Sequence, residues 1–132
     1  MDLGLRGLRA LVTGSSRGLG YAVAHCLGSE GVRTAINGRK SDMLNDAAKR
    51  ITSETGLQCI PIPGDVADPS QTNDIITRAV ENLGGLDLLV TNAGGPPAGK
   101  FETFDDNTWI NAVQLSFLSH VRLIRAALPY LR

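Results

Sequence analysis

The stretch LVTGSSRGLG, residues 11–20, follows an apolar run and leads into a helical pattern. Its glycines have the spacing Gly14-x-x-x-Gly18-x-Gly20. Between a buried strand and a helix, Gly14 allows a tight turn, Gly18 lets the backbone approach a pyrophosphate, and Gly20 permits close packing of helix against strand. Free N–H groups and the positive end of the dipole at the helix start favour an anion. We therefore expect a phosphate-binding loop here rather than a mobile Gly/Ser linker.

Short apolar segments alternate with longer helical patterns along the whole chain. Strands are predicted at residues 9–13, 32–37, 57–62 and 86–92, and helices at 18–29, at 41–55, from Asp68 onwards, and from about 105 to 131. Such alternation indicates an α/β fold, a doubly wound parallel sheet with helices on both faces. Pro61 cannot donate a ladder hydrogen bond, so the third strand is expected at a sheet edge. With right-handed crossovers, the predicted strand order is 3-2-1-4.

Capping residues set the predicted helix ends. Ser41 is a candidate cap for the second helix, and Gly56 is a natural stop for it. In the segment ADPSQ, Asp68 is expected to cap the third helix, with Pro69 in its first turn.

Composition narrows the class of protein. The 132 residues correspond to one domain, and 13 basic against 13 acidic residues give no reason to expect nucleic acid or an anionic membrane as a partner. Residues 1–50 carry eight basic and four acidic side chains, the remainder five and nine. This asymmetry suits a small anionic ligand in the first half, or it reflects chance placement of solvated charges. Cys26 and Cys59 lack metal-ligand spacing, which favours reduced thiols, a cytoplasmic location and no metal site.

Two further motifs lie at the ends of predicted strands. GDVAD occupies residues 64–68 and TNAG residues 91–94. Together with the glycine spacing, they resemble the short-chain dehydrogenase/reductase family, and within it the 3-oxoacyl-[acyl-carrier-protein] reductase-like branch. The similarity covers essentially the whole chain. It implies a Rossmann-type fold over residues 1–132 and a nicotinamide dinucleotide as cofactor.

The resemblance also implies roles for individual residues. The family's aspartate at the position of Asp65 accepts a hydrogen bond from the adenine amino group, with Val66 beside the ring; an ordinary turn aspartate is the alternative. Asn92 props the neighbouring strands, while Ala93 and Gly94 leave space for a ribose. The predicted cofactor site consists of Gly14, Ser15, Ser16, Arg17, Gly18, Leu19, Gly20, Asn37, Arg39, Asp65, Val66, Asn92, Ala93 and Gly94.

The end of the second strand bears on the choice between NAD and NADP. It reads Asn37-Gly38-Arg39-Lys40, without the carboxylate that usually binds the ribose 2′-hydroxyl of NAD. The planar fork of Arg39 suits a 2′-phosphate, and Arg17 matches a family position where a basic residue favours NADP. We therefore predict NADP as cofactor, the alternative being that Arg39 and Lys40 are solvated loop charges.

The family's catalytic Tyr-x-x-x-Lys pair and preceding serine are not found in these residues. Tyr21 is followed by His25 at the position of the lysine, and Tyr130 lies close to Arg132. By resemblance, the catalytic segment would follow Arg132, so the fold is expected to be truncated before it. Aligning Trp109 and RAALP (residues 125–129) puts the family's helix asparagine at Ser116. Asn111 lies five residues earlier and is expected to face another direction.

These observations predict an NADPH-dependent oxidoreductase that reduces a 3-oxoacyl thioester or another ketone to an alcohol. This chain would be its cofactor-binding part, inactive alone. The alternatives are a non-catalytic dinucleotide-binding or regulatory protein and a truncation product. The segment 109–131 carries many apolar residues, so we expect a homo-oligomer built on this helix.

Overall fold

The computed structural model describes all residues from Met1 to Arg132 and contains one sheet of four parallel strands in the order β3-β2-β1-β4. The predicted fold class and strand order are confirmed. The strands are β1 (Arg9–Val12), β2 (Arg33–Gly38), β3 (Cys59–Pro63) and β4 (Leu88–Val90); the helices are α1 (Gly18–Ser29), α2 (Ser41–Thr55), α3 (Thr72–Leu83), α4 (Asp106–Val113) and α5 (Ser119–Leu131). A 3₁₀ turn, Phe101–Thr103, and a π-helical segment, Gln114–Leu118, complete the chain.

The two faces of the sheet carry separate apolar cores. Leu11 of β1 packs with residues of α3 and α5, whereas the adjacent Val12 packs with residues of α1 and α2. Because successive side chains of a strand point to opposite faces, this division shows helices on both sides of the sheet. The strands are thereby held from both faces, with their carboxyl ends at one edge of the molecule.

The outer edge of β3 offers no free backbone donor. Pro61 and Pro63 have no N–H group, and the N–H of Cys59 donates to Thr52 Oγ1 over 2.9 Å. These three residues alternate with those whose N–H groups face β2, so they share the outer side of the strand. The predicted edge position of the third strand is confirmed, and this edge is closed to a further strand.

The start of α3 and the cap of α2 differ from the prediction, although α2 begins at Ser41 as predicted. Asp68 does not cap α3, which begins at Thr72; its carboxylate instead accepts from Ser70 N–H at 2.9 Å and Gln71 Nε2 at 2.9 Å, closing a separate turn. Ser41 is the first residue of α2, and no side chain caps that helix. At the other end, Gly56 terminates α2 with φ of 77°, as predicted.

The last third of the chain is helical but not continuous. Asp105 caps α4 by accepting from the N–H of Thr108 at 2.9 Å. The π-helical segment then intervenes before α5, whose buried residues Ser119, Leu123 and Ala127 recur every fourth position and face the sheet side. None of the helices combines the length and the apolar character that crossing a bilayer requires.

Candidate ligand site at the carboxyl end of the sheet

A cavity of about 790 Å³ lies where the carboxyl ends of the strands meet. Its walls come from the loop after β1 that carries Gly14, Gly18 and Gly20, here called the glycine loop, and from the end of β2 and the segments after β3 and β4. The last wall is formed by α4 with the π-helical segment. Most of the predicted cofactor residues line it: Gly14, Ser16, Arg17, Gly18, Asn37, Arg39, Asp65, Val66, Asn92, Ala93 and Gly94. In open α/β sheets this edge is where ligands bind.

The glycine loop is shaped by close backbone contacts. Gly14 has φ of 56°, and a Cβ there would lie 2.6 Å from the carbonyl oxygen of Asn92. A Cβ at Gly20 would overlap the carbonyl oxygen of Gly14 and approach Asn92 Nδ2 to 2.9 Å. Gly18 has φ of 63° but nothing within 4 Å of a Cβ position, so its surroundings are open toward the cavity. Two glycines are thus required by packing, and the third leaves room for a ligand.

The start of α1 presents free donors beside the cavity. Arg17 precedes the helix in extended conformation, with φ of −158°, and no side chain accepts a hydrogen bond from the first turn. By contrast, Asp105 caps α4 with its own carboxylate. An uncapped helix start that faces a cavity leaves its N–H groups and its dipole available to an anion.

Arg17 and Arg39 stand at this cavity without a partner in the chain. Both side chains are exposed, both line the cavity, and neither makes a hydrogen bond or an ion pair. The end of β2 lies close to the glycine loop, since a Cβ at Gly38 would be 3.3 Å from Ser16 Cβ. The backbone segments that carry Arg17 and Arg39 therefore lie side by side at the cavity.

Asp65 is held in place by its own turn. Its Oδ1 accepts from Ala67 N–H at 2.9 Å, and its N–H donates to Gln71 Oε1 at 2.9 Å. Gln71 is oriented in turn by Asp68, whose pKa is lowered by hydrogen bonds from Ser70 and Gln71. The second carboxylate oxygen, Oδ2, has no donor in the chain and is free to accept one from a ligand.

Asn92 links the end of β4 to the glycine loop. Its N–H donates to Thr13 Oγ1 and its carbonyl oxygen accepts from the same hydroxyl, both over 2.8 Å. Its side-chain Nδ2 donates to the carbonyl oxygen of Gly14 over 2.9 Å. Beyond it, Gly94 has nothing within 4 Å of a Cβ position. Asn92 therefore shapes the loop, and the residues after it leave open space.

Three of the predicted cofactor residues do not line the cavity. Ser15 is fully buried, and its hydroxyl donates to the carbonyl oxygen of Val12 over 2.6 Å. Leu19 is 75% exposed outside the cavity, and Gly20 is buried against Gly14. Of these three, Ser15 and Gly20 support the loop from behind.

Comparison with known proteins identifies the family. The family model described as short chain dehydrogenase matches residues 9–132. The chain belongs to the short-chain dehydrogenase family. It is 32% identical over 131 residues to a hydroxysteroid 11-beta-dehydrogenase 1-like protein of Danio rerio, covering 96% of this chain and 44% of that protein. The chain thus spans less than half the length of this curated relative.

Solved structures of the family share the fold. The L-sorbose reductase of Gluconobacter frateurii, in complex with NADPH and L-sorbose, is 31% identical with a TM-score of 0.94, over 99% of this chain and 50% of that one. A short chain dehydrogenase of Burkholderia cenocepacia in complex with NADP is 34% identical with a TM-score of 0.90, over 96% of this chain and 52% of that one.

The cavity is lined by other residues of the last helical region than the one expected at the position of the family's helix asparagine. Ser116 is exposed and does not line the cavity, whereas Asn111, Gln114 and Leu115 do. Residues three and four positions apart share a helix face, so 111, 114 and 115 face the cavity together and Ser116 faces solvent. Asn111 and Ser116 face different directions, as expected, but it is Asn111 and not Ser116 that lines the cavity. The sequence alone shows that residues 111, 114 and 115 share one helix face, but it does not show that this face is turned toward the cavity.

Gln114 adds an unusual polar group to that wall. Its Oε1 is buried and accepts no hydrogen bond within the chain. An unpaired buried acceptor costs about 1–3 kcal/mol, so this oxygen would be stabilised by a donor from water or from a ligand in the cavity. The π-helical turn that carries Gln114 is itself a rare conformation, frequent at functional sites.

The site's residues fit a nicotinamide dinucleotide. The open position at Gly18, the uncapped start of α1 and the free oxygen of Asp65 provide donors and an acceptor in one cavity. The unpaired guanidinium groups of Arg17 and Arg39 add positive charge at its edge.

Proposed function

We propose that this chain forms the NADP-binding part of an oxidoreductase that uses NADPH to reduce a ketone to an alcohol. The observation that carries the proposal is the pair of unpartnered guanidinium groups, Arg17 and Arg39, at a cavity whose β2 wall has no carboxylate. A carboxylate there would repel a 2′-phosphate. The NADPH and NADP complexes of two structural relatives support the same choice of cofactor.

Each wall of the cavity has a distinct part in holding the dinucleotide. The N–H groups of the glycine loop and of the start of α1 bind the pyrophosphate, and Arg17 and Arg39 bind the 2′-phosphate. Asp65 Oδ2 accepts from the adenine amino group, with Val66 beside the ring. The open positions at Ala93 and Gly94 admit the ribose of the nicotinamide. When bound, the cofactor supplies the hydride.

Reduction of a ketone to an alcohol requires a proton donor in addition to the hydride. No Tyr-x-x-x-Lys pair occurs in residues 1–132. We propose that the complete reductase provides this pair after Arg132, and that Asn111 and Gln114 form the cavity wall next to it. A 3-oxoacyl thioester or another ketone is the proposed substrate class. A cytoplasmic location stays a prediction, with which the unpaired thiols of Cys26 and Cys59 are compatible.

Comparing the two dinucleotides in binding experiments tests the proposal. The full-length protein should bind NADPH at least about tenfold more tightly than NADH, because a hydrogen bond to a charged group contributes about 1.5–3 kcal/mol. Arg39→Asp should reverse the preference, since a carboxylate repels the phosphate and accepts the 2′-hydroxyl. Lys49→Asp, the same charge change on an exposed part of α2, should leave it unchanged. Equal affinities in the wild-type protein would contradict the NADP assignment.

We also propose that the protein is a homo-oligomer built on the segment 109–131, most simply a two-fold dimer. Its outer side carries exposed apolar side chains: Trp109, Ile110, Val113, Phe117, Ile124 and Leu128. Exposed apolar side chains in this number on one segment favour burial against another surface, here that of a second copy.

Sedimentation of the full-length protein at low micromolar concentration tests the assembly. The wild-type protein should sediment as an oligomer. Phe117→Glu should dissociate it, because residue 117 is 61% exposed and a charge there would be buried in the interface. A monomeric wild-type protein whose mass and solubility do not change on Phe117→Glu would show that this surface is not an interface between copies.

A further inference from the structure

Asn37 lines the cavity, yet its polar groups bind other parts of the protein. It is 1% exposed, and its Nδ2 donates to the carbonyl oxygens of Ile62 at 3.0 Å and Gly64 at 3.2 Å. Its Oδ1 accepts from Gly14 N–H at 3.3 Å. The backbone is equally committed, since the N–H donates to Ser15 Oγ at 3.0 Å and the carbonyl oxygen accepts from Ser15 N–H at 2.7 Å. Both side-chain donors are therefore already used within the fold.

These bonds connect two walls of the cavity that are distant in sequence. Gly14 belongs to the glycine loop, whereas Gly64 directly precedes Asp65 on the opposite wall. Asn92 completes the arrangement, because its Nδ2 donates to the carbonyl oxygen of Gly14 while Asn37 accepts from the N–H of the same residue. Gly14, with its φ of 56°, is thus held on both sides by an asparagine.

We propose that Asn37 is a positioning residue, which fixes the glycine loop relative to the segment of Asp65 and does not itself bind the dinucleotide. This inference rests on the proposed function. In a rigid site, the pyrophosphate and the adenine are bound at the spacing that one ligand requires. Without the amide donors of Asn37, the carbonyl groups of Ile62 and Gly64 lose these two hydrogen bonds. The two walls are then joined mainly by backbone hydrogen bonds and are held at a less precise spacing.

The variant Asn37→Asp removes the amide donors but adds a carboxylate at the end of β2, so the uncharged variant Asn37→Ser is measured beside it. Asn37→Asp keeps the size of the side chain and the acceptor for Gly14 N–H, but it places an oxygen against two carbonyl oxygens. In the full-length protein we expect the dissociation constant for NADPH to rise at least tenfold. Asn37→Ser removes the bonds without adding a charge, and we expect the same rise in the dissociation constant for it. It also takes the place of Asn37→Asp should that variant not fold.

Two controls separate positioning from loss of stability. Ile51→Val removes one methyl group from the fully buried core under α2 and lowers stability without touching these bonds. Asn73→Asp makes the same chemical change at an exposed position of α3. Both variants should bind NADPH with the affinity of the wild-type protein.

A double-mutant cycle with Asp65→Ala distinguishes positioning from a merely structural role. If Asn37 sets the place of Asp65, the factor by which Asp65→Ala weakens NADPH binding should shrink at least threefold in the uncharged Asn37→Ser background. Additive effects would overturn the inference. Unchanged NADPH affinity in Asn37→Asp would overturn the inference alone, whereas a wild-type protein that binds neither NADPH nor NADH would overturn the proposed function as well.

Discussion

Arginines at the two ends of the sheet are used in opposite ways. At the amino end, Arg9 forms a two-pronged ion pair with Asp87, at 2.9 and 3.0 Å, and donates to the carbonyl oxygen of Gly84 at 2.7 Å. Arg33 donates to the carbonyl oxygen of Leu83 at 3.0 Å. At the carboxyl end, Arg17 has no partner in the chain, and neither has Arg39. One end uses its charges to close the fold, and the other leaves them available.

The helix termini follow the same division. At the amino end, Arg9 and Arg33 bind the last carbonyl groups of α3, where a helix favours cations. At the carboxyl end, the start of α1 carries no cap at all. At the amino end the arginine side chains are paired within the fold, whereas at the cavity two arginine side chains and the start of α1 have no partner in the chain. This difference favours an anionic ligand at the carboxyl end of the sheet.

The first prediction separates binding from chemistry at the carboxyl end. A protein confirmed by mass to end at Arg132 should show no reduction of a ketone by NADPH, even if it binds the dinucleotide. The reason is that no Tyr-x-x-x-Lys pair lies in residues 1–132, and positioned proton transfer typically contributes a factor of about 10²–10⁴. The decrease in absorbance of NADPH with a panel of ketones measures it. Turnover by this preparation would mean that these residues hold a proton donor of another kind.

Sequence patterns were sufficient for the fold because the decisive signals are local. Alternating apolar segments and Pro61 determine the strand order, and the glycine spacing determines the start of α1 at Gly18. The start of α3 was misplaced because Asp68 has two local options, a helix cap and a turn, and hydrogen bonds with Ser70 and Gln71 favour the turn. No local signal marks the π-helical segment, whose conformation depends on packing.

The site was less predictable, because its residues act through distant partners. Arg9 and Arg17 look alike in sequence, and only the fold brings Asp87 to Arg9 and leaves Arg17 unpaired. The basic first half of the chain is therefore partly structural and partly available to a ligand. Asn37 was predicted as a cofactor ligand, but the bonds to Gly64 that suggest another role join residues far apart in the chain.

The second prediction compares glycines at the two ends. Gly14→Ala should destabilise the fold by about 2–5 kcal/mol, since its left-handed backbone costs about 1–2 kcal/mol with a side chain and the contact 2.6 Å from Asn92 O adds overpacking of about 1–3 kcal/mol. Gly84 has φ of 81°, but a Cβ position there has open space around it. Gly84→Ala should therefore destabilise the fold only by the backbone cost of about 1–2 kcal/mol. Urea unfolding of both variants measures the difference. Equal losses would show that the glycine loop has room that the structure does not indicate.

The third prediction compares one arginine from each end of the sheet by two measurements, the affinity for NADPH and the melting temperature. Arg17→Met should weaken NADPH binding about 10- to 150-fold and leave the melting temperature unchanged, because this exposed side chain makes no hydrogen bond or ion pair within the chain. Arg9→Met should lower the melting temperature and leave NADPH affinity unchanged, because it removes the bonds to Asp87 and Gly84. Titration calorimetry and thermal unfolding of each variant give the four values. A comparable loss of NADPH affinity in Arg9→Met would show that the arginines at the two ends do not have separate roles.

The fourth prediction has the smallest expected effect and concerns the free energy of unfolding at low pH. Hydrogen bonds from the Arg9 side chain, and then from its N–H, lower the pKa of Asp87 below the ordinary value. A carboxyl group with a lowered pKa in the folded state stabilises the fold above its unfolded pKa, about 3.9, and this contribution is lost as the pH falls through the folded value. Asp87→Asn should therefore lower the free energy of unfolding at neutral pH, with a gap to the wild-type protein that closes below about pH 4.

Urea unfolding at several pH values between neutral and about pH 2 measures this gap. Asp46→Asn, at an exposed aspartate without a partner, should leave the whole curve unchanged. Part of the acid sensitivity will remain in Asp87→Asn, because hydrogen bonds also lower the pKa values of Asp68 and Asp105. If the curves of Asp87→Asn and the wild-type protein coincide from neutral to acid pH, the Arg9–Asp87 pair does not stabilise the amino end. The contrast with the unpaired arginines at the cavity would then be one of geometry and not of stability.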